Sequence, residues 1–179
     1  MTTFGENRVK EAEVKAAQLP GARWQMVGHL QSNKAARAIT LFDVIQSVDS
    51  VELAGRLSRL AVAAGRAPYP VYLQVNVDAD PAKEGFAPRE LLDSIPHLAA
   101  LDGLDLRGLM TVGRLVASGE EARPTFRALR ELSDRARRDV PTVGRSLSMG
   151  MSDDFEVAVE EGATVVRLGR VLFGERPRG

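Results

Sequence analysis

Along the chain the spacing of apolar positions switches repeatedly between about two residues and nearly four. Short alternating or apolar runs occur at 23–30 (RWQMVGHL), 42–49 (FDVIQSVD), 71–78 (VYLQVNVD), 106–112 (LRGLMTV), 145–151 (RSLSMGM) and 164–169 (TVVRLG), with a stub around Phe4. Each reads as a strand. Between them the period is helical. Over 50–64, Val51, Ala54, Leu57, Ala61 and Ala64 share a face, Asp49 with Glu52 predicts a capping-box start, and Gly65 a left-handed stop. Over 122–138 the buried stripe is Phe126, Leu129, Leu132 and Ala136. Pro88 suits the first turn of a helix that Pro96 is expected to shorten or kink.

Strand–helix alternation predicts an α/β fold, a parallel sheet covered by helices. It closes either as an open doubly wound sheet or as a (β/α)8 TIM barrel. In 71–78, Val71, Leu73, Val75 and Val77 share one face, and Tyr72, Gln74 and Asn76 the other. In 164–169, Val165, Arg167 and Gly169 alternate with Val166 and Leu168. A sheet covered on both sides is apolar on both, so a half-polar inner face favours the barrel. About seven strands in 179 residues fall below the roughly 200-residue floor for such barrels. The expectation is therefore a single domain, 1–179, forming a barrel shortened at its N-terminal end.

Charge narrows the functions. Twenty-four basic and twenty-four acidic residues leave no excess to neutralise nucleic-acid phosphates. With no cysteine, disulfides, thiolate nucleophiles and Cys-ligated metals are excluded. Two histidines, His29 and His97, without HExxH spacing make a His-based metal site unexpected. No apolar run spans a bilayer and no signal peptide is evident, so a cytoplasmic protein without membrane partners is expected.

Three stretches carry candidate chemistry. Ser148-Met149-Gly150-Met151-Ser152 follows the second-to-last strand and opens a helix ending at Gly162, with Asp153 and Glu156 at capping-box spacing. RLGRVLFG follows the last strand. Phosphate sites of such barrels are often built from these two loops, where backbone amides and helix N-termini attract anions; the alternative is a pair of ordinary strand-to-helix turns. Arg167, on the inner face, calls for an acceptor, either a carboxylate such as Glu6 or a ligand. Glu6, Asn7, Arg8, His29, Gln31, Asn33 and Lys34 gather near one rim as a possible polar site.

The blocks FGENRV, VGHLQSNK, IQSVDS, QVNVDADPAKEGF, GLMTV, LSMGMSDDFEVAVEEGATVVRLG and FGERP, running in order from Phe4 to Pro177, resemble the pyridoxal phosphate homeostasis proteins. These YggS-type proteins are related to the N-terminal domain of alanine racemase. The resemblance implies a barrel of that type and a binder of pyridoxal 5′-phosphate (PLP) in vitamin B6 and amino-acid homeostasis, a carrier without established turnover. It implies a phosphate loop at Ser148, Met149, Gly150, Met151 and Ser152, completed by Gly169. Arg167 would sit against the pyridine nitrogen, with Asn7, His29 and Met110 lining the ring. The family's Schiff-base lysine lies in a VSK-like motif upstream of FGEN, and none of Lys10, Lys15, Lys34 and Lys83 occupies a matching position. A covalent anchor is therefore not expected in this chain. The alternatives are a racemase-like PLP enzyme or a shortened barrel without ligand, in either case a monomer or weak homodimer.

Overall fold

The computed structural model describes residues 2–114 and 116–174; the Glu175–Pro177 end of the FGERP motif lies outside them. Seven strands, β1 (Thr3–Glu6), β2 (Arg23–Met26), β3 (Val44–Val48), β4 (Tyr69–Gln74), β5 (Leu104–Met110), β6 (Ser146–Met151) and β7 (Val165–Arg167), form one sheet in chain order. Every neighbouring pair is parallel. Helices α1 (Val9–Gln18), α2 (Ala35–Leu41), α3 (Val51–Ala63), α4 (Pro88–Ala99), α5 (Arg123–Asp139), α6 (Phe155–Glu160) and α7 (Arg170–Phe173) alternate with them.

The sheet is curled. Ser148 on β6 donates a 2.5 Å hydrogen bond to Gln46 on β3, three strands away, a separation of about 14 Å on a flat sheet. Only a barrel brings those side chains together across a lumen, and the seam falls between β7 and β1. The expected division of faces holds. Cα partners Val71, Leu106, Leu73, Leu109 and Leu147 turn outward into the helix-covered core, joined by Phe126, Leu129 and Ala136 of α5.

Three local expectations need correction. Ser50, not Asp49, caps α3, its hydroxyl accepting the Leu53 N–H at 3.2 Å, because the Asp49 carboxylate is engaged by His29. Gly65 does stop the helix, at φ +65°. Likewise Asp154 rather than Asp153 occupies the cap of α6; Asp153 pairs instead with Arg170. Helix α4 begins at Pro88 as expected but continues three residues past Pro96. Pro96 forfeits one hydrogen bond there, while fully buried Leu91, Ile95 and Leu98 hold the helix to the barrel.

The last helices are stapled by charge. Glu161, 4 % exposed, accepts from Arg130 at 2.6 Å, Arg123 at 3.1 Å and Arg127 at 3.4 Å. The Arg123 hydrogen bond holds the Glu161 carboxyl below its ordinary 4.5. A carboxyl so lowered stabilises the fold above its unfolded pKa and loses that contribution as pH falls below it. Glu161→Gln is expected to melt several degrees below the parent at pH 7, with the gap closing as pH falls through and below the ordinary glutamate range. Thermal denaturation across that range checks it; a pH-independent gap would mean that packing, not charge, is at stake.

Candidate functional site

Register fixes the lumen. Gln74, Met110 and Ser148 are Cα partners across β4, β5 and β6, so their side chains share the inner face; Tyr72, Gly108 and Ser146 form the row before them. Met110 and Ser148 are fully buried. A hydrogen-bonded chain crosses this layer. Gln46 donates to Gln25, Ser148 Oγ to Gln46 Oε1 at 2.5 Å, and Arg167 to Ser148 Oγ at 2.7 Å. The second terminal nitrogen of Arg167 donates to the Thr111 carbonyl at 2.7 Å, and Thr111 Oγ1 to the Val75 carbonyl at 2.8 Å. Beside Gln46, the register of β3 against β4 shifts between Ile45 and Val48. The buried hydroxyl of Ser47 in that stretch has no hydrogen-bond partner among the described residues.

Arg167 is the charge at the centre. Burial draws its guanidinium down to about 10, opposed by the Asp154 carboxylate, so it stays charged at pH 7. It forms no ion pair among the described residues; Glu6, the alternative partner, pairs with Lys15 of α1. Of the five guanidinium donors, three are left without a protein partner among those residues.

Two loops lie at the strand ends above Arg167. At the end of β6, Gly150 takes φ +92°, where an added Cβ would stand 2.6 Å from the Ala158 Cβ. The Met151 N–H is already given to Asp154 at 2.6 Å, so it is not a free donor. Met149 is fully buried in the core cluster, so its side chain lies outside the lumen. Ser152 Oγ accepts from the N–H groups of Gly169 and Val171 at 3.3 and 3.4 Å, tying the loop after β6 to that after β7. Nothing lies within 4 Å of where a Cβ on Gly169 would project, so this crossing is open on that side.

The third cluster sits at the opposite end of the sheet order, where β1 and β2 end. A groove of about 570 Å³ takes in Asn7, Arg8, His29, Gln31 and Lys34, but not Glu6 or Asn33, over a floor of Val9, Met26 and Leu30. Gly28 is required there, since a Cβ would stand 2.5 Å from the Asn7 carbonyl oxygen. His29 Nδ1 lies 2.9 Å from Asp49 Oδ2. Of the lysines, Lys15 is held by Glu6, Lys83 donates to the carbonyls of Val112 (3.2 Å) and Gly113 (2.5 Å), and Lys10 and Lys34 line the groove. None is bonded into the Ser148–Arg167 layer among the described residues. Sequence reading missed Gln25, Gln46 and Thr111 in that layer, although a polar residue amid IQSV was a usable signal.

Comparison with known proteins follows the same lines. The alanine racemase N-terminal domain family matches residues 1–177. A pyridoxal phosphate homeostasis protein of Aquifex aeolicus is 38 % identical over 178 residues, 98 % of this chain and 78 % of that protein. PipY of Synechococcus elongatus superposes at TM-score 0.90 without PLP (43 % identity) and 0.88 with PLP bound (42 %), covering 96 % of this chain and 81 % of PipY. An alanine racemase of Clostridium difficile shares the fold at TM-score 0.81 and 19 % identity, over 99 % of this chain and 46 % of its own.

Proposed function

The chain belongs to the alanine racemase N-terminal domain family, among its pyridoxal phosphate homeostasis proteins, and from that membership we propose that it binds PLP at the C-terminal mouth of its barrel. It acts there as a cofactor carrier in vitamin B6 and amino-acid homeostasis. The observation that carries the site is Arg167, a charged, partly buried guanidinium with donors to spare and no carboxylate partner among the described residues.

The residues present fit the group. When bound, the cofactor supplies an aldehyde that condenses with amines and an electron-withdrawing pyridine ring. Arg167 would face the ring nitrogen, and its permanent charge disfavours a proton there, which suits storage better than turnover. Ser152, Gly169 and Val171 would hold the phosphate, the two N–H groups exchanging the long bonds to Ser152 Oγ for a charged acceptor. Ser148 keeps Arg167 in register from beneath. Met110 offers an apolar wall to the ring, with Asn7 and His29 at the rim. Of the phosphate loop expected from sequence, Met149 contributes no side chain and Gly150 serves the turn. Among the described residues no lysine of this chain is bonded to this layer, so its retention of PLP is read as non-covalent. The racemase-like alternative draws on likeness at 19 % identity, which speaks to the fold alone.

Gly169→Ala separates binding from folding. Its backbone sits at φ −116° and its Cβ would enter open space, so the melting temperature is expected to stay within about 2 °C of the parent. PLP affinity, read by spectral titration, is expected to fall several-fold, as it should in Ser152→Ala. Unchanged affinity in both variants would remove these two loops from the phosphate site.

A further inference from the structure

Beyond the layer assigned to PLP, the loops after β2, β3 and β4 bring His29, Asp49 and Glu84 together, with one ligand atom of each within 4.8 Å of the other two. We propose that this trio binds a divalent transition-metal ion, of the zinc or manganese class, with His29 shared between the ion and the rim of the proposed PLP site.

Charge is the first argument. Two carboxylates share this small space, and Glu84 has no hydrogen bond or ion pair to its side chain among the described residues. Among the described residues the Asp49 carboxylate meets only His29, at 2.9 Å. Two carboxylates held close favour a cation between them.

Positioning is the second. Each ligand comes from a braced backbone. Glu84 is fixed by its own carbonyl, which accepts from Gln74 Nε2 at 2.8 Å. Its loop is tied further by Asn76 Nδ2 to the carbonyls of Asp80 (2.8 Å) and Lys83 (3.0 Å), and Gly85 at φ +126° lets it pass close to the Asn76 amide. Asp49 precedes the capped start of α3. His29 follows Gly28, locked against Asn7.

Ligand chemistry selects the metal. One imidazole nitrogen and two carboxylate oxygens leave at least one position for water, an open arrangement suited to zinc or manganese. Ligand atoms about 2.0–2.2 Å from such an ion lie roughly 3–4 Å apart, so the trio needs only rotamer changes to close from 4.8 Å. Calcium and magnesium are disfavoured by the imidazole and by needing six or more ligands. Arg8 and Lys34, which share a groove with His29, further oppose a purely electrostatic site, leaving affinity to the inner-shell bonds.

The test uses the full chain, freed of metal and titrated with Co2+ while the visible d–d bands are followed, with calorimetry of Zn2+ in parallel. Saturation at one ion per chain is expected. Glu84→Gln and Asp49→Asn should each weaken binding tenfold or more, His29→Ala should abolish the bands, and His97→Ala, at an exposed position on α4, should change nothing. Glu84 is exposed, so its variant folds and keeps the test decisive. No saturable signal in the parent would overturn the site. Equal affinity in Glu84→Gln would overturn it too, placing the ion elsewhere.

Discussion

Arg167→Ala is expected to weaken PLP binding at least tenfold, about 1.4 kcal/mol or more, while leaving the fold standing. Two effects on stability oppose each other. Removing the guanidinium strips the Ser148 hydroxyl and the Thr111 carbonyl of a charged donor, each loss costing about 1–2 kcal/mol. It also removes a charge that burial already disfavours, a relief of similar order. A net change within about 2 kcal/mol is therefore expected in thermal denaturation. Binding has no such compensation, because the alanine offers the ring nitrogen nothing. Arg167→Lys should recover only part of the affinity, a lysine placing a point charge where a fork holds two partners and faces a third. An affinity unchanged in the alanine variant would move the ring away from β7.

The largest structural effect is expected from Gly108→Ala, on β5 in the row before Met110. Gly108 adopts φ +149°, and an added Cβ would stand 1.9 Å from the Ser146 carbonyl oxygen and 2.8 Å from its N and C atoms. All three are backbone of β6, the strand that carries Ser148, so no side chain can yield. Overpacking against backbone together with a strained φ costs about 3 kcal/mol or more, a melting temperature lower by roughly 6–12 °C for a chain of this size. Gly55→Ala, inside α3 with only the Arg59 guanidinium at 3.6 Å, is the control, expected to be neutral or stabilising by up to about 1 kcal/mol. If Gly108→Ala melts within about 2 °C of the parent, β5 and β6 are not paired in this register.

The barrel was readable in the sequence because its two faces differ in chemistry. Tyr72, Gln74 and Arg167 could not lie under helices, and the register sets them in the lumen, with Val71 and Leu73 outside. What stayed hidden was contact across the lumen. Nothing local says that Ser148 meets Gln46, 102 residues away in sequence, since only closure of the sheet creates that neighbour. Capping was misread for a related reason. Asp49 and Asp153 have the spacing of helix caps, yet His29 and Arg170, both distant in sequence, claim their carboxylates and leave the caps to Ser50 and Asp154. The stretch Ser148–Ser152 was visible as small residues leading into a helix, but not that β6 runs on to Met151, nor how the stretch divides. Met151 spends its N–H on Asp154, while Ser152 reaches over to the amides after β7.

The most direct test of the account is an absorbance titration of the purified chain with PLP, followed by borohydride and intact mass. Saturation at one PLP per chain is expected, lost or shifted at least tenfold in Arg167→Ala, with no adduct on a single lysine after reduction. Lys15 and Lys83 are engaged elsewhere, and Lys10 and Lys34 line the outer groove. Absorbance that rises linearly without saturation would contradict PLP binding itself. A stoichiometric adduct on one lysine would contradict non-covalent retention and identify that lysine, Lys34 before the others, as an anchor.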